Sequence, residues 1–206
     1  MRERREVIGV RQPVSTRTSA SNVLVGKRRC VVLMVIDELK QRIREIPDFP
    51  KAGILFRDIT PLLADGSAFH HAIDYLGERY VDRKVDIVVG VEARGFIMGA
   101  ALAYKLGAGN ALVRKQGKLP FKTNRTTYAL EYGTDTLEIH QDAIRPGQRV
   151  VRADDRLATG GTISAAAELV RQLGGEIVEL TFLIELTGLK GRERLKGLPV
   201  FSLIQY

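Results

Sequence analysis

The stretch Val150-Val-Arg-Ala-Asp-Asp-Arg-Leu-Ala-Thr-Gly-Gly-Thr162 decides how the chain is read: a strand at Val150 to Ala153, two acids at its end, then a small Gly-rich loop opening a helix. Backbone N–H groups of Ala158, Thr159, Gly160, Gly161 and Thr162 can surround a phosphate, and the Thr159 and Thr162 hydroxyls can add donors. The helix N-terminus contributes partial positive charge. Asp154 and Asp155 would repel that phosphate, so they are better placed as acceptors for sugar hydroxyls one step away. A ribose 5-phosphate suits both halves. A capped strand-to-helix turn would explain Thr-Gly-Gly-Thr alone, but not the paired acids beside it. The Gly-Lys-Ser/Thr element of a nucleoside triphosphate loop is missing.

Outward from this stretch, strands and helices alternate. Asp86 to Val91 is a short β-branched run of the kind covered on both faces of a sheet, and Gly95 to Leu106 follows as an apolar helix. Strands are expected near Ala111 to Val113, Tyr128 to Tyr132, Thr136 to Ile139 and Ile177 to Leu186, with a helix over Thr162 to Leu173 stopped by Gly174-Gly175. The succession predicts right-handed βαβ units, a parallel sheet, and a ligand at the carboxyl ends of its strands. Nearer the start, Val35, Ile36, Leu39, Ile43 and Ile46 repeat at helical spacing until Pro47. Thr60 before Pro61, and Ser67 before an apolar stripe, read as helix N-caps.

Composition narrows the class further. The chain has 206 residues, 45% hydrophobic and 27% charged, enough for one sizeable core. No apolar run approaches the roughly 20 residues of a membrane-spanning helix. Cys30 is the single cysteine, which excludes an internal disulfide and a thiolate cluster and suits a reducing cytoplasm. His70, His71 and His140 have no metal-ligand spacing, so no protein-bound metal is expected. The net charge of +8 suggests nucleic acid, but residues 1–33 carry eight Lys or Arg against Glu3 and Glu6 and so hold six of those charges. The body is close to neutral, and nucleic acid is not the expected partner. Residues 1–33 read as a disordered extension and 34–206 as one domain. A start placed ahead of Met34, an Arg-rich targeting peptide and a functional basic tail all fit the extension; helical patterning that begins at Met34 favours the first.

The Val150 to Thr162 stretch resembles the phosphoribosyl-pyrophosphate motif of the type I phosphoribosyltransferases. Three more stretches narrow the resemblance to the adenine-using members: Ile46-Pro-Asp-Phe-Pro-Lys-Ala-Gly-Ile-Leu-Phe-Arg-Asp-Ile-Thr-Pro61, Val91-Glu-Ala-Arg-Gly-Phe96 and Tyr128-Ala-Leu-Glu-Tyr-Gly133. It runs from about Met34 to Tyr206. It implies a central, mainly parallel sheet flanked by helices, a small N-terminal hood and a mobile active-site loop. It also implies transfer of the 5-phosphoribosyl group of phosphoribosyl pyrophosphate to adenine, giving AMP and pyrophosphate, with Mg2+ held by the substrate, and a homodimer. By resemblance, Arg94 and Lys115 meet the pyrophosphate, Asp154 and Asp155 the ribose, and Ala158 to Thr162 the 5′-phosphate. Leu55, Phe56, Arg57 and Leu186 would enclose adenine, and Glu131 would act in the mobile loop, taking a proton from the purine or stabilising positive charge on the ribose ring.

A phosphoribosyltransferase for another purine, and a regulator of the same fold that binds nucleic acid, are the alternatives. The chain departs from the family where Arg152 and Arg156 interrupt otherwise apolar runs. Arg152 is expected to lower stability unless it is paired. Arg156 could add an anion contact or disturb the phosphate loop. An arginine at a strand end, such as Arg94, could also be only a surface ion pair.

Overall fold

The structure is a computed structural model that describes residues 36–129 and 133–206. The expectations for residues 1–33, for Met34 as start and for Glu131 lie outside the described residues. Helix α1 covers residues 36–41. Strands β1 (Arg44–Ile46) and β2 (Phe56–Asp58) form a separate antiparallel pair. Then follow α2 (Thr60–Ala64), α3 (Gly66–Glu78), β3 (Ile87–Val91), α4 (Arg94–Leu106), β4 (Gly109–Lys115), β5 (Thr123–Ala129) and β6 (Thr134–His140). The chain closes with β7 (Arg149–Leu157), α5 (Gly161–Gln172), β8 (Glu176–Glu185), two 3-10 turns (Thr187–Leu189 and Gly191–Leu195) and β9 (Val200–Gln205). Among the described residues no helix is long and apolar enough to cross a membrane.

The main sheet has seven strands in the order β5-β6-β4-β3-β7-β8-β9. From β4 to β9 the neighbours are parallel, as the alternation of strands and helices predicts; β6 runs antiparallel to both β4 and β5. The chain passes from β3 to β4 on one side, while β7 takes the other side of β3. Consecutive crossovers therefore diverge at β3 and β7, and a crevice opens at their carboxyl ends. Val88, Val89, Val150 and Val151 in these central strands are fully buried, which is why their sequence runs apolar without alternation.

Three local expectations need correction. The apolar spacing that predicted one helix to Ile46 gives a helix only to residue 41, with Arg44–Ile46 forming β1 instead. Ile46 precedes Pro47 and is pushed toward extended backbone, and Arg44 gains hydrogen bonds to Asp58 across the pair at 3.1 and 2.7 Å. Thr60 is the first helical residue rather than the cap; Oδ1 of Asp58 accepts its N–H at 2.9 Å. Asp65, not Ser67, caps α3, accepting from the N–H groups of Ser67 and Ala68 at 3.1 Å each. In both cases a carboxylate two residues earlier accepts the exposed N–H, a charged and stronger acceptor than a hydroxyl. Strand β9, Val-Phe-Ser-Leu-Ile-Gln, was not anticipated.

Gly90 decides how close α4 comes to β3. A Cβ there would lie 2.5 Å from the carbonyl oxygen of Gly95, so only glycine lets the helix start pack against the strand. That approach places the 92–95 turn beside the end of β7.

Candidate active site

Strand β7 ends in Asp154 and Asp155, the chain turns through Ala158, Thr159 and Gly160, and α5 begins at Gly161. Gly160 has φ +83, and a Cβ on it would stand 2.6 Å from the carbonyl oxygen of Gly191. Glycine is thus required twice over, by the backbone and by the 3-10 segment packed behind the loop. The N–H groups of the first turn of α5 have no acceptor within the helix and, with the helix dipole, favour an anion.

A cavity of about 350 Å³ lies at the carboxyl ends of β3 and β7. Arg94, Asp154, Asp155 and Ala158 to Thr162 all line it, as do Glu92 and Arg156. Sequence reasoning therefore selected most of its wall. The peptide between Glu92 and Ala93 is cis.

The acids are held by arginines. Nε of Arg94 donates to Oδ2 of Asp155 at 2.6 Å, so the ion pair raised as an alternative for Arg94 exists, inside the cavity. Arg152 is buried and donates from Nη2 to Oδ2 of Asp154, while the N–H of Asp155 donates to Oδ1 of Asp154 at 2.9 Å. The pairing condition set for Arg152 is met, although its Nε and Nη1 have no hydrogen-bond partner. Burial pushes the Asp154 carboxyl up to about 6, against the opposing pull of Arg152 and with the help of Asp155. Each carboxylate oxygen keeps a second lone pair, so both acids can still accept from a sugar hydroxyl.

Arg156 lines the cavity with the phosphate loop and also faces the Phe56 ring. Its guanidinium carbon lies 5.2 Å from the centroid of the Phe56 ring, and that of Arg94 lies 5.9 Å from the same centroid. Arg156 therefore flanks the ring assigned to the base.

The remaining assigned residues stand apart from the cavity wall. Phe56 adjoins it through the two arginines and packs edge-on against Phe49 at 5.2 Å. Leu55 is exposed, and Arg57 pairs with Glu45 and lies 4.1 Å over the Tyr206 ring. Leu186 gives its N–H to the carbonyl of Leu157 at the end of β8. Lys115 pairs with Asp135 at 3.0 Å.

Glu92 was not singled out by the sequence, and it organises the cations beside the cavity. Its carboxylate accepts from Lys118 Nζ at 2.5 Å, and from Arg114 Nε and the Lys115 N–H at 3.3 Å each. The Lys118 contact first, helped by Arg114 and the Lys115 N–H, holds its carboxyl down at about 2. Tyr128, quoted only within a motif, places its hydroxyl 3.2 Å from Thr162 Oγ1 in the phosphate loop. The charge of Glu92 next to Arg94 was the available signal; nothing local marked Tyr128.

Residues 61–203, which carry the central strands and the loop after β7, match the family model for the phosphoribosyl transferase domain, and that defines the class of protein. Relatives narrow it. The chain is 64% identical over 171 residues to the adenine phosphoribosyltransferase of Syntrophotalea carbinolica, spanning 83% of this chain and 100% of that one. A crystal structure of adenine phosphoribosyltransferase from Thermoanaerobacter pseudethanolicus is similar with a TM-score of 0.81 at 56% identity, covering 83% of this chain and 99% of that chain. The Saccharomyces cerevisiae enzyme, solved in complex with an imino-altritol bisphosphate and adenine, is similar with a TM-score of 0.79 at 43% identity, covering 83% and 99%. The chain belongs to the adenine phosphoribosyltransferases.

Proposed function

We propose that the protein transfers the 5-phosphoribosyl group of phosphoribosyl pyrophosphate to adenine, forming AMP and pyrophosphate, a purine-salvage reaction. The observation that carries this reading is the convergence of Arg94, the acid pair and the phosphate loop on one cavity at the ends of β3 and β7. Ala158 to Thr162 would hold the 5′-phosphate, Asp154 and Asp155 the ribose hydroxyls, and Arg94 the diphosphate, with Lys115 as a second cation. Phe56 would offer a face to adenine, with Leu55, Arg57 and Leu186 around the base.

In the step itself, N9 of adenine bonds to the anomeric carbon as the bond to the diphosphate oxygen breaks. The electron pair leaves with pyrophosphate, and N9 gives up its proton. Positive charge grows on the ribose ring as the bond lengthens, and carboxylates at its hydroxyls, the role given to Asp154 and Asp155, would stabilise it. Glu131, between β5 and β6 in sequence, is our proposed acid, as proton acceptor or as a further anion near the ring. No group of three or more His, Cys, Asp or Glu is gathered for a metal among the described residues, and both acids of the pair already engage arginines. A magnesium ion carried by the substrate's own oxygens and water fits that donor set, and when bound it would neutralise charge on the diphosphate. A homodimer in the cytoplasm completes the proposal; family resemblance supports the dimer, and the lone Cys30 is in keeping with the compartment.

The test is AMP formation from adenine and phosphoribosyl pyrophosphate with magnesium, with hypoxanthine, guanine and xanthine as competitors. Turnover of adenine alone is expected. Comparable turnover of another purine would replace the adenine assignment, and no turnover by the folded chain would overturn the reading.

A further inference from the structure

Lys115 has its backbone bonded to a cavity residue and its side chain elsewhere. Its N–H donates to Oε2 of Glu92, a cavity-lining residue, at 3.3 Å. Its Nζ lies 3.0 Å from Oδ2 of Asp135 on β6. Asp135 is a small hub: Oδ1 accepts the N–H of Thr136 at 2.9 Å, and Oδ2 also faces the Tyr128 hydroxyl at 3.5 Å. Tyr128 stands directly across the β5–β6 hairpin from Asp135 and reaches Thr162 of the phosphate loop at 3.2 Å. A line of polar contacts therefore joins the phosphate loop to the lysine, passing through Tyr128 and Asp135.

The strength of the last link matters. The Lys115 side chain is 59% exposed and that of Asp135 22%, so the pair is screened by water and is worth little. A lysine on a flexible four-carbon stem, held by so weak a pair, can be taken by a stronger anion nearby. A diphosphate carries more charge than a carboxylate and offers more acceptor oxygens. The pair is strong enough to raise the Lys115 pKa through the Asp135 hydrogen bond, and weak enough to exchange.

We propose that Asp135 is a positioning residue that stores Lys115 outside the cavity and yields it when a diphosphate enters, so that every binding event pays for breaking the Lys115–Asp135 pair and pyrophosphate leaves more readily. The inference rests on Lys115 being a diphosphate contact. The Tyr128 hydroxyl, accepting from Thr162 and facing Asp135, keeps the strand that bears Asp135 in register with the phosphate loop.

The experiment measures pyrophosphate affinity by calorimetry and by product inhibition, with magnesium present, for the full chain and for Asp135→Asn, Lys115→Ala and the double variant. Asparagine keeps the acceptor for Thr136 and removes the charge; should it fail to fold, Asp135→Ser keeps a short acceptor for the same comparison. Asp135→Asn is expected to tighten pyrophosphate by about two- to fivefold, the size of an exposed pair, and to lower the KM for phosphoribosyl pyrophosphate while leaving that for adenine unchanged. Lys115→Ala should weaken pyrophosphate about tenfold, and in that background Asp135→Asn should have no effect. Unchanged or weaker pyrophosphate binding in Asp135→Asn overturns the storage role. Tightening that persists without Lys115 also overturns it, because the charge of Asp135 would then act on the ligand directly. If Lys115→Ala alone leaves pyrophosphate binding intact, the underlying assignment of Lys115 fails, and the storage role with it.

Discussion

Arg152, buried in the middle of β7, donates from Nη2 to Oδ2 of Asp154, two residues along the same strand and on the wall of the cavity. Residues two apart share one face of a strand, so this contact comes directly from the alternation of β7. The consequence is a pH-dependent one. Asp154 has its carboxyl raised to about 6 by burial, so its contribution to stability is complete below 3.8 and declines as pH rises through about 6. Replacing Arg152 by Val removes the countercharge and raises that carboxyl further, so the variant must lose more stability over the same rise. We expect Arg152→Val to fall behind the parent by on the order of 1–3 kcal/mol between pH 5 and pH 8. Urea unfolding at the two pH values measures it; a pH-independent difference would show that the two nitrogens of Arg152 left without partners, and not its charge, set the cost of burying it.

Arg94 and Asp155 form the other pair in the cavity, and here the geometry of the fork matters as well as its charge. Arg94 contacts Asp155 through Nε, leaving its terminal nitrogens free of that bond to meet a second anion. A lysine could supply the charge but not the rigid, planar fork that meets both anions. Arg94→Lys is therefore expected to lose at least tenfold in kcat/KM for phosphoribosyl pyrophosphate, on the order of the 1.5–3 kcal/mol of a hydrogen bond to a charged group. The KM for adenine should change little. Equal losses for both substrates would point to a general distortion of the site.

The strand of Asp154 and Asp155 and the loop after it were legible because several signals coincide there: a buried strand, paired acids, and glycines at a helix start. The central sheet was legible for a similar reason, since Val88, Val89, Val150 and Val151 are covered on both faces and leave an unbroken apolar run. What was not legible depends on distant partners. Ile43 and Ile46 have the spacing of a helix, yet the Arg44–Asp58 contact across 14 residues draws the segment into a strand. The hub at Asp135 joins residues from β4, β5 and α5, and no local pattern announces it. Arg156 was visible as a departure from the family pattern, but only the fold shows that it faces Phe56.

Glu92 is expected to contribute stability that acid removes. Its carboxyl is held at about 2, below its ordinary 4.5, by the Lys118 contact first and by Arg114 and the Lys115 N–H. A depressed carboxylate stabilises the fold above its unfolded value, and that share is lost as pH falls through the folded one. Glu92→Gln should therefore be less stable than the parent at pH 7 and at pH 5, with the difference closing as pH falls from 4.5 toward 2. Melting temperatures across this range provide the measurement. A difference that does not depend on pH would assign the effect to packing.

Gly95 separates stability from activity. A Cβ on it would come within 2.7 Å of Oδ1 of Asp154, so Gly95→Ala has to push that carboxylate out of place. Alanine in a helix gains roughly 0.5–1 kcal/mol over glycine, which offsets much of the crowding. The melting temperature should move by only a few degrees, while kcat/KM for phosphoribosyl pyrophosphate drops more than about tenfold. Retained activity would mean that the position of Asp154 is not critical to the sugar.

Arg156 sits where a base would have to enter if Phe56 is its stacking partner. Flat groups in contact lie about 3.5–4 Å apart, so a purine between the Phe56 ring and a guanidinium needs roughly 7 Å from ring to guanidinium. The observed separation is 5.2 Å, so the arginine must withdraw as the base arrives. A cation–π contact between two half-buried side chains of this kind is worth on the order of 1 kcal/mol, and adenine has to displace it. Arg156→Leu keeps an apolar side chain of similar reach and removes the competing contact. Its KM for adenine is expected to fall by about two- to fivefold, with the KM for phosphoribosyl pyrophosphate unchanged. Steady-state kinetics with each substrate varied in turn decides the matter. A higher KM for adenine would mean that the guanidinium stays on the bound base as its second wall, and a changed KM for phosphoribosyl pyrophosphate alone would return Arg156 to the phosphate side of the cavity.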